Sequence, residues 1–359
     1  MIAQYKCSQH KIKYIEIMSA LGIYIYGFVS NARIDALKDI LMQSGVYAIE
    51  YKKISALVSD TRESGIEGLE KESLGKLLID HQLKIEKINA AGCDKIVPMK
   101  FGTIVSSGND IYRILEGGYD VISSTIDAIK ALHEMDVVAR WSDFGNFINK
   151  IASNAEIVSL KNVMAHQDAC EEVDMVSIGR AIKKKVDEKN SKARKDILKA
   201  LIPICKDYKK QETLNDEMVI NAAFLIESSE KERFIDAVEQ TDLKYADELG
   251  FKIVGPLPCY SFYTIECKAI EKSDVESAMR CLEIEVLKSE SDIKKAYRAM
   301  ASVSHPDSSP EKANADSSRF IEIHNSYKLL MDYSSATKKY GLEMNALGAD
   351  PVYVIKIKE

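Results

Sequence analysis

The sequence predicts an α+β protein with a ferredoxin-like N-terminal domain, a helical middle leading into a second α+β unit, and a C-terminal module of three helices. Three observations predict it. Over the first 143 residues, β-branched and aromatic runs alternate with helical patterns in the order strand, helix, strands, helix, strand, helix, strand. That order suits an α+β sandwich better than an alternating parallel sheet. A strand–helix–strand succession returns from residue 219, and from residue 274 the pattern becomes helix, turn, helix, loop, helix. The 359 residues accordingly divide into an N-terminal extension (1–20), an N-terminal α+β domain (21–143), a helical segment with a second α+β unit (144–272), a helical module (273–342) and a tail with a strand candidate (343–359).

Residues 22–29 (GIYIYGFV) are short, aromatic and β-branched, and read as a buried strand. A short helix over 33–43 and strands at 46–51 and 54–59 follow. The spacing predicts a helix over 70–91, with Leu74, Leu77, Leu78, His81, Ile85 and Ile88 on one broad face. Residues 95–105 (KIVPMKFGTIV) read as a strand made irregular by Pro98. A helix over about 109–134 and a strand at 136–142 come next; the strand holds the only tryptophan, Trp141, expected in the core. Residues 178–209 read as one long helix, with Ile178, Ile182, Val186, Ala193, Ile197, Leu201 and Ile204 along its apolar stripe. Its basic middle (Lys183, Lys184, Lys185, Lys189, Lys192, Arg194, Lys195) is interleaved with acids; it reads as a solvated face or, more sharply, as a docking stripe for an acidic partner. Strands at 219–227, 251–254 and 260–267 and a helix at 229–249 complete the second unit, with a rigid turn at 255–258 (GPLP).

Composition excludes several classes of function. The net charge of -6 and the pI of about 5.7 argue against a nucleic-acid footprint, and no RNP-type aromatic pattern supports an RNA-binding sheet. The seven cysteines include no C-x-x-C pair, which reads as free thiols in a reducing compartment. Lys6, Lys11, Lys13 and Glu16 interrupt the apolar residues near the N-terminus, and no apolar run approaches the ~20 residues of a membrane span. The expectation is a cytoplasmic protein with no membrane partner. G-x-S-x-G, Walker and dinucleotide fingerprints are absent, and His133, His166 and His324 have no metal-spaced companions. Catalytic residues, metal and cofactor are therefore expected to be none, and His81 reads as a packing histidine.

The C-terminal module begins with a helix over 274–282. Ser289, followed by Asp292, has the spacing of a capping box, and the next helix places Ile293, Ala296, Tyr297, Met300, Ala301 and Ser304 on one face with Lys294, Lys295 and Arg298 opposite. It stops before His305-Pro306-Asp307, and a third helix carries Phe320, Ile323, Tyr327, Leu330 and Met331. These segments, SESDIKKAYRAMASVSHPD and FIEIHNSYKLLMDYSSATKKYG, resemble a J domain of the DnaJ type. The resemblance implies that His305, Pro306 and Asp307, with the basic face of Lys294, Lys295 and Arg298, engage and stimulate a DnaK-type chaperone. Val303-Ser304 and Ser308-Ser309 flank the tripeptide where the family usually has an aromatic and basic residues.

Four blocks in the rest of the chain occur in one order: IYIYGFV at 23–29, ALVS at 56–59, PMKFGT at 98–103 and GPLPCYSF at 255–262. Together they resemble the gas vesicle synthesis protein L/F family (GvpL/GvpF) over about 21–267; His81 stands where that family tends to carry a histidine. Leu257 and Cys259 depart from its common Trp and Pro. The resemblance implies an accessory role: binding the hydrophobic gas vesicle shell protein, keeping it assembly-competent, and working with other gas vesicle accessory proteins. Pro98, Lys100, Phe101, Gly102, Thr103, Tyr260 and Phe262 are the partner-binding candidates. A J-type co-chaperone delivering another client is the alternative.

Overall fold

A computed structural model of the chain describes residues 22–63, 65–93, 95–165, 171–246, 248–287, 289–304, 313–339, 344 and 350–358, without side chains at 163–165, 171–175, 303–304, 313–317 and 339. The tripeptide His305, Pro306 and Asp307 and the histidine His166 lie outside the described residues. The chain forms two compact units: Met1–Asp127 together with Tyr263–Glu359, and Ala128–Phe262.

The first unit starts with β1 (Gly22–Ser30), buried along seven consecutive positions because it lies at the centre of its sheet. Helix α1 (Ile34–Gln43) buries Ile34, Leu37 and Leu41, which its 3.6-residue period stacks on one side. A hairpin follows, β2 (Tyr47–Tyr51) and β3 (Ile54–Thr61), and then α2 (Lys71–Ala90). Helix α2 buries His81, Ile85 and Ile88, but Leu78 is 52% exposed, so the buried face is narrower than the sequence suggests. The strand expected over 95–105 is two short pieces, β4 (Val97–Pro98) and β5 (Ile104–Val105). Both pair antiparallel with the same edge of β1, and residues 100–102 bulge out between them. The order β2-β3-β1-β4, with every pair antiparallel, is the predicted ferredoxin-like arrangement.

The single helix expected over 109–134 is instead α3 (Gly108–Gly117) and α4 (Tyr119–Ala128), followed by a 3₁₀ turn. The Gly117-Gly118 pair breaks it, since each glycine disfavours a helix interior by about 1 kcal/mol.

The second unit contains β6 (Leu132–Trp141), α5 (Phe144–Ala152), α6 (Ala155–Ala165), α7 (Glu171–Leu201), β7 (Asp207–Lys210), β8 (Met218–Glu227), α8 (Lys231–Tyr245) and β9 (Leu249–Leu257). The sequence grouped β6 with the first domain, but its backbone pairs with β8 and β9, and this sheet runs β7-β8-β6-β9. The two units thus repeat one strand permutation. Helix α7 starts at Glu171, before the expected 178, and ends at Leu201, short of the expected 209; Pro203 follows in a 3₁₀ turn, and β7 takes the last part of the span expected to be helix. The expected stripe of α7 is buried at Val186, Ala193, Ile197 and Leu201, whereas Ile178 and Ile182 are half-buried and Ile204 lies in the 3₁₀ turn beyond the helix. Trp141 is buried, stacks on Phe147 at 3.9 Å between ring centroids, and donates its indole N–H to Asn190 Oδ1 at 2.6 Å.

The strand expected over 260–267 starts later. Tyr260–Tyr263 form a helical turn, α9, and β10 is Ile265–Ile270. After it come α10 (Lys272–Cys281), α11 (Glu290–Ser304), α12 (Ala313–Lys339) and β11 (Val352–Ile357). The capping box read at Ser289 is present at its amide: Asp292 N–H donates to Ser289 Oγ at 3.2 Å. Helices α10 to α12 enclose a core of Val275, Ala278, Leu282, Ile293, Ile323, Leu330 and Tyr333. Strand β11 pairs antiparallel with β10, so the helical module is an insertion within a two-stranded ribbon.

Candidate functional site

The first three sequence blocks and His81 converge in the first unit. Tyr24 and Tyr26 of β1 point to the same face, where α2 lays His81 over them; the His81 ring stacks on Tyr26 at 5.5 Å and meets Tyr24 edge-on at 5.7 Å. Tyr24 Oη lies 2.9 Å from His81 Nδ1 and accepts the Gly102 N–H at 3.2 Å. Phe101 closes the ring edge-on against His81 at 5.5 Å. On the other side Tyr26 Oη is 2.9 Å from Ser59 Oγ and accepts from Lys84 Nζ at 2.9 Å, while Lys84 is paired with Asp80 at 2.9 Å.

Burial sets the electrostatics of this cluster. Desolvation lowers the His81 pKa to about 4, so the ring is neutral at neutral pH. Desolvation also pulls Lys84 down, but its bonds to Tyr26 and Asp80 outweigh it and the net shift is upward. Burial raises the Tyr24 hydroxyl above the ordinary tyrosine range.

The 98–103 block is held from several directions. Pro98 pairs with Gly27, where a Cβ would collide with Val97 O; glycine is required there by the close approach of β4. Met99 N–H donates to Tyr26 O at 3.1 Å, Lys100 N–H to Ile265 O at 2.8 Å, and Thr103 N–H to Lys100 O at 3.2 Å. Gly102 has φ +81°, the conformation that lets the bulge turn back. With these amides bonded internally, the block offers side chains rather than a free strand edge: Lys100 is exposed and pairs with Glu266 at 3.0 Å, Phe101 is half-buried, and Thr103 Oγ1 donates to Lys100 O at 2.7 Å.

The fourth block belongs to the second unit and is not a plain turn. It extends β9 through the cis Gly255-Pro256 peptide and ends in α9. Ser261 donates its N–H and its Oγ–H to the two oxygens of Glu134, both at 2.7 Å. Burial pushes the Glu134 carboxyl up to about 7, against those bonds, and pushes Asp136 up to about 6. Phe262 is buried, with Lys209 Nζ 5.8 Å from its ring centre, and Tyr260 is half-buried, its N–H donating to Pro258 O at 2.7 Å. Glu134 and Asp136 belong to no sequence motif; their one signal is two acids two residues apart in a strand, which alternation puts on one face.

On the module, Lys294, Lys295 and Arg298 are exposed along α11, with Lys294 3.7 Å from Glu290. Among the described residues no group of three or more metal-type side chains is assembled, and no helix is long and apolar enough to cross a membrane.

These features define a two-unit α+β protein with a helical module inserted between the two strands of a ribbon. The chain belongs to the gas vesicle synthesis protein GvpL/GvpF family, whose profile matches residues 22–264, and a DnaJ domain is matched over residues 279–340. It is 20% identical over 255 residues to gas vesicle protein F2 of Halobacterium salinarum, covering 70% of this chain and 96% of that one. It is 21% identical over 254 residues to gas vesicle protein F of Dolichospermum flosaquae, covering 69% and 99%. The crystal structure of GvpF from Microcystis aeruginosa shares the fold, with a TM-score of 0.52 at 18% identity over 68% of this chain and 99% of that chain.

Proposed function

We propose that this chain is an accessory protein of gas vesicle assembly, not an enzyme, that binds the hydrophobic shell protein and keeps it assembly-competent. It acts in the cytoplasm and at the growing vesicle, beside other gas vesicle accessory proteins. The observation that carries this reading is the convergence of three family blocks on one cluster, with exposed Lys100 and half-buried Phe101 and Thr103 of the 98–103 block beside it. A subunit with a water-repelling face aggregates until that face is covered, so a partner that covers it has a physical task without any chemistry. Lys100, Phe101 and Thr103 offer side-chain contacts, with Pro98 and Gly102 shaping the bulge that presents them. Strand β9, whose outer edge no strand pairs among the described residues, offers the backbone for strand addition, with Tyr260 and Phe262 just beyond its end.

The DnaJ domain favours a second partner, a DnaK-type chaperone, engaged through His305, Pro306, Asp307, Lys294, Lys295 and Arg298. It also supports the alternative reading, a J-type co-chaperone serving some other client. Co-expression with a shell protein separates the two: soluble co-purification is expected, and its absence with a folded chain refutes the leading reading. For the module, the wild type is expected to stimulate the ATPase of the cognate chaperone and His305→Gln to lose that stimulation.

A further inference from the structure

A module at the end of a chain ordinarily moves on its linker. Here both ends of the module are joined to one ribbon, and the ribbon is held on three sides. Six residues of β10 pair with six of β11, from Ile265↔Ile357 to Ile270↔Val352, and Lys358 N–H adds a bond to Thr264 O at 2.7 Å. On one face, Ile270, Val352 and Val354 join the core of the module. On the opposite face Tyr353 and Ile355 are buried towards α3: Tyr353 is hydrogen-bonded to Asp110, and Ile355 Cγ2 fills the space beside Gly118, 3.1 Å from where a Cβ would stand. Arg113 of α3 is ion-paired with Asp350, just before β11. The free edge of β10 meets the 98–103 block through the Met99↔Ile265 bridge, the Lys100 N–H bond to Ile265 O and the Lys100–Glu266 pair.

We propose that the ribbon is a fixed mount: it holds the module in one orientation on the first sheet, so that a chaperone engaged by α11 works at a set position relative to whatever the 98–103 block binds. The identity of the two partners rests on the function proposed above, and the geometry rests on the ribbon alone. The ion pairs are exposed and contribute little by themselves. The mount depends on the apolar side chains buried on both faces of the ribbon and on its hydrogen-bonded register, which a swing of the module would break together.

The test uses the full chain with spin labels on unnatural amino acids at Met42 of α1 and Ala299 of α11, both exposed. Wild type should give one narrow distance distribution, and Ile355→Asp should broaden it while helix content stays. A broad distribution in wild type overturns the mount. Ile355→Ala, which removes most of the side chain packed beside Gly118 without burying a charge, is the milder second variant should Ile355→Asp unfold. In cells producing vesicles, the loosened variant should keep ATPase stimulation and shell-protein co-purification yet lose vesicle yield several-fold. Undiminished yield with a broadened distribution overturns the functional half of the proposal. A narrow distribution in a wild type that neither stimulates a chaperone nor retains shell protein refutes the assigned partners and leaves the mount standing.

Discussion

Tyr24 and His81, 57 residues apart in sequence, share a 2.9 Å hydrogen bond in the buried cluster under α2, and the same tyrosine hydroxyl receives the Gly102 N–H. One oxygen therefore ties β1, α2 and the 98–103 bulge together. Tyr24→Phe keeps the ring and removes that oxygen, leaving His81 Nδ1 and the Gly102 amide without it. Loss of about 1–3 kcal/mol is expected, read by denaturant unfolding, with little change in secondary structure.

The bend of the sheet edge depends on Gly27. In Gly27→Ala the new methyl meets the Val97 carbonyl, a backbone atom that cannot rotate away. Destabilisation of about 1–3 kcal/mol is expected, as for other overpacked sites, and β4 amides should lose hydrogen-exchange protection before those of β3.

The two units should answer acid with opposite signs. His81 has a folded pKa near 4 against an ordinary 6.5, so between those values the unfolded chain takes up a proton that the folded one refuses. The first unit therefore loses stability as pH falls from about 6.5 to 4, by roughly 3 kcal/mol at most. Glu134 and Asp136 are raised, to about 7 and about 6, so the folded second unit holds protons that the unfolded chain has released. Its stability falls as pH rises from the ordinary carboxylate range towards 7 and levels off above it. Trp141 fluorescence reports the second unit, and exchange of β1 amides reports the first. Glu134→Gln should flatten most of the Trp141 pH dependence and leave the β1 response unchanged.

On the module, Lys294→Ala, Lys295→Ala and Arg298→Ala combined should reduce chaperone ATPase stimulation towards baseline. The three are exposed, so thermal stability should hold; exposed substitutions away from special features stay within about 0.5 kcal/mol each. Stimulation equal to wild type would remove α11 from the chaperone contact.

What the sequence made legible follows from where information is local. The β1 run, part of the core stripe of α7 and the Ile293 side of α11 announce themselves by periodicity, and the ferredoxin-like order of the first unit follows from the strand and helix succession before residue 106. Partner choice between strands is not local: nothing in LHEMDVVARW distinguishes a last strand of one sheet from a first strand of the next, and β6 joined the second. Strand β7 is four residues long and polar, too short to carry alternation. The convergence of Tyr24, His81 and Gly102 was hinted by the familiar blocks but not by any spacing, because three separate elements supply the atoms. Glu134 was hidden for the same reason, its partner Ser261 being 127 residues away.

The division of the chain has a consequence for synthesis on the ribosome. The second unit is continuous, and all of its strands are made before the first unit is whole, because β11 comes after every helix of the module. Between α3 and β11 lie about 230 residues, roughly 12–47 s of translation at 5–20 residues per second. During that interval the underside of α3 and, once it has been made, the inner face of β10 have no cover. A nascent chain in that state carries uncovered apolar surface, the condition that makes a partly folded chain prone to aggregation.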